Sequence, residues 1–410
     1  MANYTPVELP YFAPEDQLPA PLPTFEEIMD FIEAERDHKS RQMSQRIASR
    51  TAVTPVTLVD FRAEVLVAEL SDEASKYERQ RPQMKDRCVE YWSSYSGPFN
   101  EHYFIKFGED DPTHMMDGLE VDGALNMVFV KEHTNIAVPK VYAIYEHEHE
   151  GRPCAVVISE RIHGNRLSDM IREPLDQNQV NSIGLQLRSY LEQMARIPAT
   201  NYFGSIGRRP YFNLYIPDGY GPDKPSPSDP HYVNPGPFSN PEDVNMSIWK
   251  NLVGLESKHF QGREDLWKPY TELFDKAFPR FRAEEDGDRA PVFSHGRIEP
   301  KSIIVKEDGT VVLIRWEHAG FFPRSYEYFS SDSRAVTYAT DLTYLENSIH
   351  YYNWSKIRSR FPVPFFKYCN KVTGLWLIVF ETRRRVDEAL YREQQQKSGN
   401  KGRSSSVVIS

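Results

Sequence analysis

Two short charged segments flank one hairpin in this 410-residue chain. Residues 294–305 read Ser-His-Gly-Arg-Ile-Glu-Pro-Lys-Ser-Ile-Ile-Val, and residues 313–320 read Leu-Ile-Arg-Trp-Glu-His-Ala-Gly. Ser302–Lys306 and Val311–Trp316 read as two strands joined by Glu-Asp-Gly-Thr, a strong tight-turn signal. The pairing of those strands would bring Arg297, Glu299, Lys301 and Arg315 to one place. Guanidinium and ammonium groups there would bind a carboxylate or phosphate, and Glu299 could act as an acid or a base. A bland alternative stands beside that one, in which Glu299 forms an ion pair with Arg297 or Lys301.

The elements that must position these residues can be read along the chain. Thr24 followed by Glu27 fits a capping box, with Phe25, Ile28, Met29 and Ile32 on one helical face. Arg36, Lys39, Arg41, Arg46 and Arg50 form a basic stretch at the end of that helix; a solvated face is its ordinary fate, a membrane-surface or partner contact the alternative. Residues 89–108 read as paired strands, ending in Tyr-Phe-Ile-Lys-Phe-Gly. Residues 119–134 read as a helix with Leu119, Ala124, Met127, Phe129 and Val130 apolar. Strands follow from Val138 and from Pro153 to Glu160. Between them Glu146-His147-Glu148-His149-Glu150 offers ligand types for a metal, but a polar hairpin tip explains it as well. Ile183, Leu187, Tyr190, Leu191 and Met194 follow helical spacing. Residues 216–238 hold seven prolines and read as a long loop. Helices are expected around 242–262, 265–284 and 333–395, and the Ser-rich end, 397–410, reads as disordered.

The spaced motifs resemble the aminoglycoside phosphotransferase / choline kinase-like family, in its fungal-type branch. That family writes its centre as His-Gly-Asp-x-x-Pro-x-Asn-Ile-Leu-Val, a hairpin, then Ile-Asp-Trp-Glu-x-Ala-Gly. Here His295, Gly296, Pro300, Trp316, Glu317, Ala319 and Gly320 keep the frame. Lys106 stands where the family places its phosphate-holding lysine, ahead of Val138-Pro139-Lys140-Val141. Ser159–Leu167 resembles the connector between lobes. Asn201–Gly207 and Gly236-Pro237-Phe238 resemble landmarks of the substrate lobe. The resemblance covers roughly residues 90–395.

The chemistry of that family needs a phosphate-holding lysine, a glutamate that fixes it, oxygen ligands for Mg²⁺ and a carboxylate base. At the corresponding positions this chain has Arg297 for the catalytic Asp, Ser302 for the metal-binding Asn, Arg315 for the second metal-binding Asp and Gly123 for the helix Glu. Glu120 and Asp122 are near in sequence, but on a helix they point about 60° and 100° away from position 123. A guanidinium has no lone pair to give a metal. Exchanging two Asp for two Arg moves the formal charge there from −2 to +2, which repels a cation and attracts an anion. The resemblance therefore implies an α+β, protein-kinase-like bilobal fold, with a small strand-rich N-lobe and a larger helical C-lobe. It implies a pseudokinase that binds an anion, a nucleotide or a partner through Lys106, Arg297 and Arg315. Such a protein could take ATP without Mg²⁺ and would hold no metal. Two alternatives stay open: an ATP-dependent small-molecule phosphotransferase, or a different enzyme on this fold using Glu299 as a displaced base. The expected boundaries are an arm and helical extension at 1–87, an N-lobe at 88–158, a C-lobe at 159–396 and a tail at 397–410, with residues 1–23 as a flexible arm.

Composition narrows the rest. The net charge of −10 argues against a general nucleic-acid binder. No apolar run approaches the roughly 20 residues of a membrane span, Leu375–Phe380 being far too short. The N-terminus lacks the pattern of a secretory signal, and Cys88, Cys154 and Cys369 are too few and scattered for a disulfide framework. A cytoplasmic protein with a small-molecule or protein partner is expected.

Overall fold

The computed structural model describes residues 4, 7–51, 94–109, 119–149, 152–211, 236–247, 290–324, 326, 327, 330, 331 and 352–361. Residues 216–235 of the expected 216–238 loop, the tail and most of the expected helices after 247 lie outside these residues. The chain divides into two compact units: Pro10–Asp111 with Tyr142–Arg161, and Met1–Leu9 with Pro112–Val141 and Ile162–Ser410. The expected α+β class holds, with a smaller strand-rich unit and a larger unit that carries the hairpin.

The smaller unit is a five-stranded antiparallel sheet in the order β1-β4-β5-β3-β2. Its strands are β1 (Tyr11–Phe12), β2 (Ser94–Pro98), β3 (Tyr103–Glu109), β4 (Val141–His149) and β5 (Arg152–Glu160). Period-two alternation in β3 points Tyr103, Ile105 and Phe107 into a core that also contains Ile28, Met29 and Ile32 of α1 (Phe25–Thr51). Phe104 and Lys106 point to the opposite face. α1 starts where the capping box places it. Thr24 N–H donates to Glu27 Oε2 at 2.8 Å, and Glu27 N–H donates to Thr24 Oγ1 at 3.2 Å. Of the arm expected to be flexible, Tyr11 and Phe12 instead add an edge strand to β4, opposite Ile144 and Ala143. A strand edge with unpaired backbone groups readily recruits such a segment. The sequence gives little sign of it, because two residues are too short for an alternating pattern.

In the larger unit, α2 (Leu119–His133) buries Ala124, Met127, Phe129 and Val130. A two-residue strand, β6 (Asn165–Arg166), precedes the short α3 (Leu167–Met170). α4 (Gln177–Arg196) opens on an Asp176/Gln179 capping box and buries Val180, Ile183, Leu187, Tyr190, Leu191 and Met194. Tyr190 Oη donates to the Val311 carbonyl at 2.7 Å and so ties α4 to the hairpin. That hairpin is β8 (Ile303–Val305) against β9 (Val311–Leu313), with β6 on its outer edge. Before it comes β7 (Val292–Ser294), after it β10 (Gly320–Phe322), and these two pair antiparallel with Phe293 opposite Phe321. The chain between residues 292 and 322 therefore closes on itself. Among the described residues no helix is long and apolar enough to cross a membrane.

Ile28 is fully buried beneath the sheet. Ile28→Ala is expected to cost about 2–5 kcal/mol, whereas Thr24→Ala, which loses only the cap, should cost about 1 kcal/mol. Urea unfolding followed by circular dichroism separates the two.

Candidate functional site

The β7–β10 pairing brings the two charged segments together. Glu299 Oε1 accepts from Arg297 Nε at 2.8 Å and from Arg315 Nη1 at 3.4 Å. Arg315 Nε in turn donates to Glu317 Oε1 at 3.3 Å. Arg297 Nη1 lies 3.1 Å from His318 Nε2, which must accept, because a guanidinium only donates. The side chains of Arg297 and Glu299 are 8% and 2% exposed, while that of Arg315 is 33% exposed. Two guanidiniums and two carboxylates thus form one network whose formal charges sum to zero.

This corrects the expected charge. The +2 implied by reading Arg297 and Arg315 alone is cancelled by Glu299 and Glu317, which approach from the same two segments. The ion-pair reading of Glu299 holds for Arg297 and extends to Arg315. A displaced base is disfavoured, because the carboxylate is buried and one oxygen already serves two cations. Arg297 is likewise committed and buried, so Arg315 is the more accessible guanidinium of the two.

Ser302, at the position of a metal ligand in the resemblance, has a local structural task. Its hydroxyl shares one proton between the carbonyls of Arg297 and Glu299, each at 2.8 Å, and accepts from Glu299 N–H at 3.0 Å. These bonds close the 3₁₀ turn Pro300–Ser302. Gly296 has φ +77°, and a Cβ there would meet the His318 carbonyl at 2.3 Å, so only glycine fits. Gly123 lets α2 approach the 316–318 turn, since a Cβ would lie 3.3 Å from Glu317 N. A glutamate would have to push that backbone aside. Asp122, weighed as its substitute, is paired with Arg209 instead. Burial pushes its carboxyl up, and the Arg209 charge opposes that. The Glu120 side chain lies outside the described residues. Lys106 sits on β3 opposite Ser96 and Val157, on the sheet face away from α1.

Arg315 is left-handed, with φ 67° and ψ 54°. An L-residue with a long side chain adopts this at a cost of about 1–2 kcal/mol. It is held there by surrounding bonds: Ile314 N–H donates to the Ser302 carbonyl at 2.9 Å, and Trp316 Nε1 to the Leu313 carbonyl at 2.9 Å. Asn126 of α2 adds a donor from Nδ2 to the Trp316 carbonyl at 2.8 Å.

Two fully buried titratable groups hold the loop, and only one was visible as a motif. His295 Nε2 donates to the Ile314 carbonyl at 3.0 Å, while Nδ1 accepts from Arg297 N–H at 3.2 Å. Both partners require the neutral ring, and burial lowers its pKa from 6.5 to about 4. Glu327 was missed. Its carboxyl accepts from Gly296 N–H at 2.8 Å and Ile298 N–H at 3.3 Å. Burial raises its pKa from 4.5 to about 7, against the pull of those backbone donors. Nothing in the local run Tyr326-Glu327 marks it, because its partners are backbone groups about 30 residues away in sequence. The expected landmarks also converge. Phe203 and Phe238 exchange both backbone hydrogen bonds at 2.8 Å, and Gly204 pairs with Phe321 of β10.

Around the other candidate, His147 stacks on Phe25 with centroids 3.7 Å apart. Among the described residues no group of three or more His, Cys, Asp or Glu could hold a metal ion.

Acidification tests the loop's buried pair. Neutral His295 contributes stability that is full above pH 6.5 and lost as pH falls through about 4. Glu327 has the opposite slope, its contribution being full below pH 4.5 and lost as pH rises through about 7. Glu327→Gln removes only the second. The stability deficit of this variant relative to wild type should shrink by roughly 3 kcal/mol between pH 4.5 and 7. Denaturant midpoints across that range measure it, and a deficit constant with pH contradicts the assignment.

No protein-family profile matches the chain, and no curated protein matches it in sequence. Solved structures similar to it include aminoglycoside phosphotransferases. One is the GDP and kanamycin complex of APH(2")-IIia, at 14% identity and TM-score 0.40, covering 75% of this chain and 87% of that one. Another is a thermostable mutant of APH(4)-Ia without ligand, at 15% identity and TM-score 0.37, covering 71% and 87%. A third is spectinomycin phosphotransferase APH(9)-Ia with ADP and spectinomycin, at 11% identity and TM-score 0.34, covering 70% and 77%.

Proposed function

We propose that this chain is a pseudokinase of the aminoglycoside phosphotransferase-like kind, which binds an anionic ligand or a partner without transferring phosphate. The observation that carries the reading is the Arg297–Glu299–Arg315–Glu317 network. It stands where the sequence resemblance puts the base and the metal ligands. Phosphoryl transfer relies on Mg²⁺ to neutralise developing charge, and Mg²⁺ needs hard oxygen ligands. Here guanidiniums take the places of two carboxylates, and Ser302 is occupied in closing its own turn. The absent base alone would forfeit about 10²–10⁴ in rate.

The ligand class follows from Arg315. Its side chain is a third exposed and its two bonds to carboxylates are long, at 3.3 and 3.4 Å. A phosphate or carboxylate arriving from solvent can compete for that guanidinium in bidentate geometry. ATP free of Mg²⁺ is the natural probe, with Lys106 as the second residue that the resemblance assigns to phosphates. Glu299, shared between two cations, gives little support to a different enzyme that would use it as a base.

Thermal melting with ATP, with and without Mg²⁺, tests the proposal. A ligand that binds only the folded state at 100 times its Kd adds about 2.7 kcal/mol. The melting temperature should rise with ATP alone, and the rise should be lost in Arg315→Ala. A rise that requires Mg²⁺, with Mg²⁺-dependent ATP turnover abolished in Lys106→Ala, would overturn the reading in favour of a phosphotransferase. Arg315→Asp, which places a third carboxylate beside Glu299 and Glu317, should lower stability and make it respond to added Mg²⁺. An indifferent response contradicts the account of the network.

A further inference from the structure

Tyr4 is remote in sequence from the charged network, yet its ring lies among three aromatic side chains of the larger unit. Its centroid is 4.9 Å from that of Phe129 and 5.3 Å from that of His133, both edge-on. It is 5.6 Å from that of Phe321, with the planes nearly parallel at 11°. The hydroxyl donates to the Pro198 carbonyl at 2.9 Å. Phe129 and Phe321 are 5% and 0% exposed with the ring seated. These contacts supply both parts of phenol recognition, apolar faces for the ring and an acceptor for the hydroxyl. An unsubstituted phenyl ring would satisfy only the first.

The walls of this recess belong to elements that frame the network. Phe129 and His133 are on α2, whose Gly123 rests on the backbone of Glu317. Phe321 is on β10, whose pairing with β7 closes the segment that holds Arg297 and Arg315. Phe293 of β7 lies against both Phe129 and Phe321, with centroids 4.9 and 5.3 Å away. A ring seated here therefore braces the aromatic layer that connects these elements.

We propose that this recess is a docking site for a tyrosyl side chain, filled in cis by Tyr4. Among the described residues, Tyr4 anchors the segment through its ring and its hydroxyl. Docking is thus governed by the phenol and can be reproduced in trans by the same segment. The inference does not depend on what the charged network binds.

The test uses the full-length chain and a labelled peptide of residues 1–9, followed by fluorescence anisotropy up to millimolar concentration. The peptide should bind Tyr4→Ala protein saturably and bind wild type at least tenfold more weakly, because Tyr4 competes. A peptide with Phe at position 4 should bind several-fold more weakly than the tyrosyl peptide, and one with Ala should not bind. Amide hydrogen exchange should also quicken around 129–133 and 320–322 in the Tyr4→Ala protein. Equal binding to both proteins, or no saturable binding together with unchanged exchange, overturns the proposal.

Discussion

One carboxylate between two guanidiniums organises the charged centre of this protein. Glu299 lies in a site that excludes water, where a lone charge would be untenable. Arg297 and Arg315 neutralise it, and Glu317 balances the second arginine. Much of the neighbouring geometry is what this arrangement requires. The chain must double back so that Glu299 and Arg315, 16 positions apart, meet, which the β7–β10 pairing achieves. Arg315 must occupy a left-handed conformation, and Gly296 must lack a Cβ to clear the His318 carbonyl.

The same constraint separates the frame from the chemistry it carries. His295, Glu327 and Ser302 hold the loop through backbone groups, and backbone bonds are indifferent to whether residue 297 or 315 is an acid or a base. Charges of either sign at those positions can therefore leave the scaffold standing, provided that they find partners. Glu299 and Glu317 supply them. A buried pair of this sort contributes little net stability compared with apolar packing, but breaking one half of it is costly. Once such a network exists, single charge changes are resisted, because each leaves a buried charge short of a counter-ion.

The sequence showed the frame more clearly than the contacts. The hairpin, the capping box at Thr24 and the helix containing Ile183 and Leu187 were legible because turn chemistry and apolar periodicity are local signals. The departures from the resembled motif at 123, 297, 302 and 315 were legible because that motif supplied a register. The neutral charge of the network was not, since Glu299 and Glu317 join it only after the chain closes on itself. Glu327 left no trace because its partners are peptide groups, which carry no side-chain identity. The edge strand at Tyr11–Phe12 and the seat of Tyr4 were hidden by a proline-rich composition that resembles a free arm. Lys106 could be placed on its strand and face, and its assignment to phosphate rests on the resemblance.

The central claim is that Arg297 and Glu299 form a buried ion pair on which the charged network depends. A double-mutant cycle with Arg297→Met and Glu299→Gln, read by chemical denaturation, measures that pair directly. Each single change should cost about 3–5 kcal/mol by stranding a buried charge, while the double change should cost much less than their sum, giving a coupling of about 2–3 kcal/mol. Additivity within about 0.5 kcal/mol would mean that the two residues do not depend on each other, and would contradict the account.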